Sequence, residues 1–423
     1  MVRSGWALGL LVLVLPAQAA EGLFIGQSGK PGLVRSGELR SRRARIAEES
    51  PEFSRSVKWA PDGDALAVQT VGNITCAGCD WFTLHDLHTR ANYGVNAKGV
   101  NEWISARDWS PDGRQLAWVG HRYDFGPWRF GVLSREDGRS RLLLKAEDFA
   151  DRGHPPLDVD LRFTLWLPSN QGLVVGLTRD VDSNEHPVGP IAVLVVGLDG
   201  TRRRVGSVPH DIDNLWGPRL EGNQLAIFTL HETSGYSVQS FDLQTGAVRR
   251  LGPGMVVGWS GARAIVDINP EDPRPLRKRP RDGMTVDPET GEEEPYSAAF
   301  ACDWCGSGRP GELVVGRSGT DQRLLSWIDA ASGTAEPLAE WRYRWAGQAW
   351  GASSDHRFVS WRESAGDGAS GDTVTVMDLA TRQRESFGPG YFEDMAWAPN
   401  RSRLALVAHS GVFVLDYDTF IGR

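Results

Sequence analysis

An all-β fold, an eight-bladed β-propeller, is predicted by three observations. A hairpin recurs with a tryptophan at one fixed place, the tryptophans are 43 to 57 residues apart, and two further short strands follow each hairpin. The clearest copy is residues 106–121, ARDWSPDGRQLAWVGH, read as a strand ending on Trp109, a turn Ser110-Pro111-Asp112-Gly113, and a second strand through Leu116 and Val119. Pro111 presets φ for the first turn position, Asp112 can bond its own backbone, and Gly113 takes the positive φ that a right-twisted hairpin needs. The same pattern stands at Trp59, Trp166, Trp216, Trp259, Trp304, Trp350 and Trp397. These eight residues form the structural repeat, and each is expected between blades.

After each hairpin comes a third strand, an Asp/Gly turn and a fourth strand. Examples are Arg129 to Leu144, Ile191 to Gly206 and Tyr236 to Gly252. Four strands per 43 to 57 residues is close to the ~40–50 residue period of a propeller blade. One blade cannot cover both faces of its sheet, so neighbours must stack around an axis and leave only short edges. The last copy ends after its third strand, VFVLD at Val412 to Asp416, and Gly37 to Ala47 has the pattern of a fourth. This predicts a last blade built from both ends of the chain, the ring being closed by an N-terminal strand. The fifth copy lacks Pro-Asp-Gly, and its third strand, Gly283 to Gly291, follows a Pro- and Arg-rich loop from Asn269 to Asp282. Read as an insertion, it would lower the count to seven.

The hairpin signature at Trp59 and Trp109 resembles the TolB-like, or PD40, branch of WD40-like β-propellers. The resemblance covers nearly everything after residue 50 and implies the fold, while function lives in sites grafted on the fold. TolB itself looks like a smaller propeller with an N-terminal α/β domain, for which too little chain precedes Trp59. Prolyl-peptidase relatives add a hydrolase domain, but no G-x-S-x-G nucleophile elbow occurs in this sequence.

Residues 1–20 read as a cleaved signal peptide. Arg3 supplies the positive end, Trp6 to Leu15 the apolar stretch, and Ala17-Gln18-Ala19 a small-residue cleavage site. That apolar stretch is shorter than the roughly 20 residues a membrane span needs. The expectation is a monomeric periplasmic or secreted protein, one propeller domain over 21–423, with no transmembrane segment after cleavage. Loss of Arg3 would take the formal charge from −8 to −9. An acidic chain is a poor partner for nucleic acid, whose binding needs a basic face. The basic run from Arg274 to Arg281 is broken by prolines and followed by Glu292, Glu293 and Glu294, as in a solvated loop.

The four cysteines form two C-x-x-C pairs, Cys76/Cys79 and Cys302/Cys305, without the following His of haem attachment. Disulfides are the favoured reading. A four-cysteine zinc site is the alternative, set against an oxidising compartment and the wide separation of the pairs. Ala77-Gly78 lets the first pair fold back, whereas the second flanks Trp304 in an extended strand, where Cα atoms about 10 Å apart exceed disulfide reach unless the strand bulges.

No Walker loop or H-E-x-x-H occurs, nothing marks a triad, and no catalytic residue is assigned. One face of the ring collects the loops joining second to third strands and each blade to the next. His121, His154, His186, His210, His231 and His409 fall there or at second-strand ends. Three Asp-x-Asp pairs, Asp158/Asp160, Asp180/Asp182 and Asp211/Asp213, accompany His154, Glu185, His186 and His210. Carboxylates mixed with imidazoles suit a divalent cation or a cationic ligand group. Asp is also common wherever a turn needs a local hydrogen bond. The sequence therefore favours a cofactor-free, non-catalytic scaffold that binds a protein or a cell-envelope component. The alternative is a metal-dependent lyase or hydrolase acting on polysaccharide or peptide.

Overall fold

The structure is a computed structural model. It describes residues 21–26, 31–35, 53–71, 80–95, 102–122, 126–150, 156, 159–178, 189–209, 219–221, 225–232, 235–260, 263–267, 283–287, 290–295, 313–317, 322–328, 335–342, 350–355, 357–364, 371–390, 392–408 and 411–417. These residues are almost entirely strand, arranged in eight antiparallel sheets.

The first sheet holds Phe53–Trp59, Ala65–Val71, Asp80–Asp86 and Asn92–Gly94. The second holds Glu102–Trp109, Gln115–Arg122, Gly126–Ser134 and Ser140–Lys145, and the third Asp160–Trp166, Gly172–Thr178, Ile191–Gly197 and Arg202–Val208. Arg219–Glu221, Leu225–Glu232, Gly235–Asp242 and Val248–Pro253 make the fourth. Met255–Ser260, Arg263–Asp267, Gly283–Val286 and Glu293–Pro295 make the fifth, so the irregular fifth copy forms a sheet of its own. The sixth shows three strands, Leu313–Arg317, Gln322–Ile328 and Ala335–Arg342. The seventh holds Trp350–Ala352, Phe358–Ser364, Asp372–Asp378 and Arg384–Gly390.

The eighth sheet corrects one expectation. Its strands Phe392–Trp397, Arg403–Ala408 and Gly411–Asp416 are continued by Glu21–Gly26 and then Pro31–Arg35. An N-terminal strand does pair with the last strand of the chain, but it is Glu21–Gly26, running Glu21↔Asp416 to Gly26↔Gly411. Residues 37–47, expected in that place, lie outside the described residues.

Local chemistry makes both turns of a repeat. The Ser110 hydroxyl donates to Asp112 Oδ1 at 2.6 Å and accepts the Gln115 N–H at 2.9 Å, and Gly113 has φ +68°. The seventh copy repeats this with Ser353, Asp355 and Phe358. The outer turns use Asp-x-x-Thr. Asp86, Asp242, Asp287 and Asp378 each accept the N–H of the Thr three residues on, and the Thr hydroxyl oxygen accepts the N–H two further on.

The core lies between sheets rather than within one. Buried clusters join the eighth sheet to the first, the first to the second, the second to the third, and so on to the fifth, and again the sixth to the seventh and the seventh to the eighth. Trp59, Trp109 and Trp166 are buried in them, and Trp350 and Trp397 are half-buried. Of Trp259 only the backbone is described, and Trp216 and Trp304 lie outside the described residues.

Trp59, Trp109 and Trp166 act as latches. The Trp109 indole N–H donates to the Lys58 carbonyl at 3.0 Å, just before Trp59, and Trp166 donates to the Asp108 carbonyl at 2.8 Å, just before Trp109. Trp59 donates to the Ala396 carbonyl at 2.8 Å, just before Trp397. The device thus ties the first sheet to the eighth. Arg403 reinforces that joint by donating to Asp64 and Asp416, both at 2.7 Å, and to the Gly63 carbonyl at 3.1 Å.

Candidate functional site

Of the Asp-x-Asp pairs and the residues accompanying them, only Asp160 is described. His154, Asp158, Asp180, Asp182, Glu185, His186, His210, Asp211 and Asp213 lie outside the described residues, as do Cys76, Cys79, Cys302 and Cys305. His121 is half-buried at the end of Gln115–Arg122, and His231 lies in Leu225–Glu232. Among the described residues no group of three or more His, Cys, Asp or Glu is placed to hold a metal.

Asp160 opens the first strand of the third sheet, and its Oδ2 accepts from Arg162 Nη1 at 3.0 Å. Two residues on in a strand is the same face, and the register shift between Leu161 and Phe163 places Arg162 at a β-bulge. A second shift, between Ala106 and Trp109, falls on Arg107 and Asp108 in the first strand of the second sheet. Bulges re-aim side chains, and here they gather a charged group along the first strands of successive sheets. Asp108 pairs with Lys58 at 3.1 Å, with both side chains about half exposed. Arg107 feels Asp108 and Asp160, but its burial outweighs them and lowers the guanidinium pKa. The Nε atoms of Arg107 and Arg162 are buried without a hydrogen-bond partner. Four of these side chains are thus committed in ion pairs, and the two arginines keep donor capacity. The group can offer N–H to an oxyanion, and its carboxylates are already neutralised by neighbouring cations.

Two titratable groups not singled out from the sequence lie in the first and eighth sheets. Asp394, in the first strand of the eighth sheet, accepts the Val57 N–H at 3.2 Å and the Met395 N–H at 2.8 Å. Burial pushes its pKa up to about 6, against which those N–H groups and Arg362 act. His85 is buried in the third strand of the first sheet, and burial lowers its pKa to about 4. A polar residue in the middle of a strand that alternates with core positions was the signal available for both.

No protein-family model matches the chain, and no curated protein matches it. Solved structures do. Prolyl oligopeptidase B from Galerina marginata aligns with TM-score 0.51 at 11% identity, over 93% of this chain and 65% of that one. The β-propeller domain of the trilobed protease from Pyrococcus furiosus aligns with TM-score 0.45 at 9% identity, over 80% and 98%. TolB from Acinetobacter baumannii aligns with TM-score 0.36 at 13% identity, over 86% and 82%. Among the described residues no helix is long and apolar enough to cross a membrane. Identities this low speak to architecture alone, and the architecture, four-stranded antiparallel sheets packed face to face, is that of a β-propeller.

Proposed function

We propose that the chain is a TolB-like PD40 propeller of eight blades over residues 21–423, exported by its signal peptide to the periplasm or beyond. In this reading it is a monomeric, non-catalytic scaffold that holds a protein or cell-envelope ligand. The indole latches running from sheet to sheet, including Trp59 to Ala396, support a ring closed by Glu21–Gly26. A rigid ring with loops on one face suits recognition, because little ordering entropy is lost on binding.

The observation that carries the binding reading is the state of Asp160. This carboxylate, the one candidate metal ligand among the described residues, is 3.0 Å from Arg162 and so committed to a guanidinium. Capture from cell-envelope extract with residues 21–423 as bait should recover one partner reproducibly. An empty capture, together with a melting temperature that rises with calcium, manganese or zinc and loses that response in D160N/D182N/D213N, would replace the scaffold by the metal-dependent enzyme. The same preparation tests the cysteines. With the Cys76–Cys79 disulfide formed, a thiol reagent under non-reducing denaturation leaves both residues unlabelled.

A further inference from the structure

Among the described residues, the outer edges of the second, third and fourth sheets share a property that the other outer edges lack. Their edge strands read SRLLLK, RRRVGSV and VRRLGP, with seven cations and no acid, in a chain of net charge −8. The first three residues of each strand are exposed. The next edge, Glu293–Pro295, reads EEP, with Glu292 before it, so the basic arc stops at the fifth sheet.

The three edges are continuous with one another. Arg141 Nη1 donates to the Leu198 carbonyl of the third sheet, Arg203 Nη2 to the Leu243 carbonyl of the fourth at 3.1 Å, and Arg249 Nη2 to the Thr290 carbonyl of the fifth at 2.7 Å. Arg141 and Arg203 are thereby laid across to the next edge, which lowers the entropy cost of using their remaining donors. Three of the acids beside them are already engaged. Asp148 pairs with Arg202 at 2.7 Å, and Asp199 and Asp242 accept the N–H groups of their own turns. Leu142 and Val248, 49% and 43% exposed, are the large apolar side chains left open to solvent among the described residues, and both lie on this arc.

We propose that this arc binds a linear acidic polysaccharide laid along the outer edges of the second, third and fourth sheets. Guanidinium forks match carboxylate or sulfate oxygens, and Leu142 and Val248 offer aliphatic surface to the C–H faces of sugar rings. Single-stranded nucleic acid would call for exposed aromatic platforms, and the apolar residues here are aliphatic. A membrane is disfavoured by curvature. Three successive sheets of an eight-sheet ring turn through about a quarter of a circle, which a flexible chain can follow and a plane cannot. This last step rests on the ring reading above.

The test is binding of the full chain to immobilised heparin and to alginate at about 0.15 M salt, where exposed charges more than about 8 Å apart are screened. Wild type should bind, and R204E/R250E should weaken binding by at least about tenfold, since two ionic contacts turn repulsive. R204K/R250K keeps the charge and should keep binding. R90E/R114E makes the same change in net charge at exposed positions off the arc and should also keep it. Heparin without alginate would assign sulfate, and both would assign carboxylate or sulfate alike. No binding by wild type, an equal loss in R90E/R114E, or tighter binding to phosphatidylglycerol vesicles than to either polysaccharide would overturn the proposal. If R204E/R250E has no cooperative melting transition, R204Q/R250Q takes its place. A captured protein partner that R204E/R250E still binds would leave the scaffold reading standing while this one falls.

Discussion

Two devices join neighbouring sheets among the described residues, buried tryptophans at first strands and exposed arginines at outer edges, and the bond is the same in both. Trp166 gives an indole N–H to the Asp108 carbonyl, and Arg249 gives a guanidinium N–H to the Thr290 carbonyl. The surroundings differ. Trp166 is 7% exposed inside an apolar cluster, whereas Arg249 lies among exposed residues. A hydrogen bond contributes about 0.5–1.5 kcal/mol net in either setting, but only the buried one carries the apolar area of an aromatic ring and leaves an orphaned carbonyl when removed. The inner device therefore holds the sheets together. The outer one orients side chains.

Trp166→Ala should show this most strongly, at about 3–5 kcal/mol by denaturant titration. Trp166→Phe, which keeps the ring and loses the donor, should cost about 1–3 kcal/mol. Equal losses for the two variants would mean that the latch hydrogen bond, rather than the packing, holds the joint.

A pH comparison sharpens the contrast between buried groups on two sheets. The folded pKa of Asp394, about 6, lies above the ordinary carboxylate value, so its contribution is present at low pH and is lost as pH rises from about 4 to 6. His85, lowered to about 4, is neutral when folded, so stability is lost as pH falls from about 6.5 to 4. Each amounts to about 3 kcal/mol, and across this window the two slopes oppose. Wild type should be nearly level between pH 4 and 6. D394N should become more stable with rising pH, and H85Q less stable. Superimposable melting profiles for the three proteins would refute both assignments.

The joint between the eighth and first sheets offers an intermediate case. Arg403 is largely covered and spans Asp64, Asp416 and the Gly63 carbonyl, so R403M should cost about 2 kcal/mol. A loss no greater than that of Arg249→Ala would place this joint with the exposed clasps.

Arg107 should behave oppositely to all of these. Its guanidinium is desolvated with an unpartnered Nε, so Arg107→Met should leave stability unchanged or raise it by about 1 kcal/mol. A clear destabilisation would mark Arg107 as part of the frame rather than a residue available to a ligand. Arg249→Ala should be the smallest effect, below about 1 kcal/mol.

Local order was legible where one stretch contains the whole cause. Ser110, Pro111, Asp112 and Gly113 determine their turn among themselves, and the Asp-x-x-Thr turns do the same. The period of the tryptophans likewise announced sheets that must cover one another, because a four-stranded sheet has two apolar faces and no core of its own. Arg162 as the partner of Asp160 was legible too, since residues two apart in a strand share a face.

Other features have their cause in chain distant in sequence. That Glu21–Gly26 pairs with Gly411–Asp416 depends on which segment reaches the open edge in register, and alternation alone suits residues 37–47 equally well. The acceptors of the latches, one residue before the preceding tryptophan, are main-chain carbonyls that carry no sequence signal. Asp394 and His85 acquire shifted pKa values from burial between sheets, and the bulges that gather Arg107, Arg162 and Asp160 arise from strand pairing. The sequence by itself thus determined the repeat, its turns and its apolar faces, all set within a few residues. Closure partners, charged groupings and titration were decided by tertiary structure, because they depend on what distant chain removes from water.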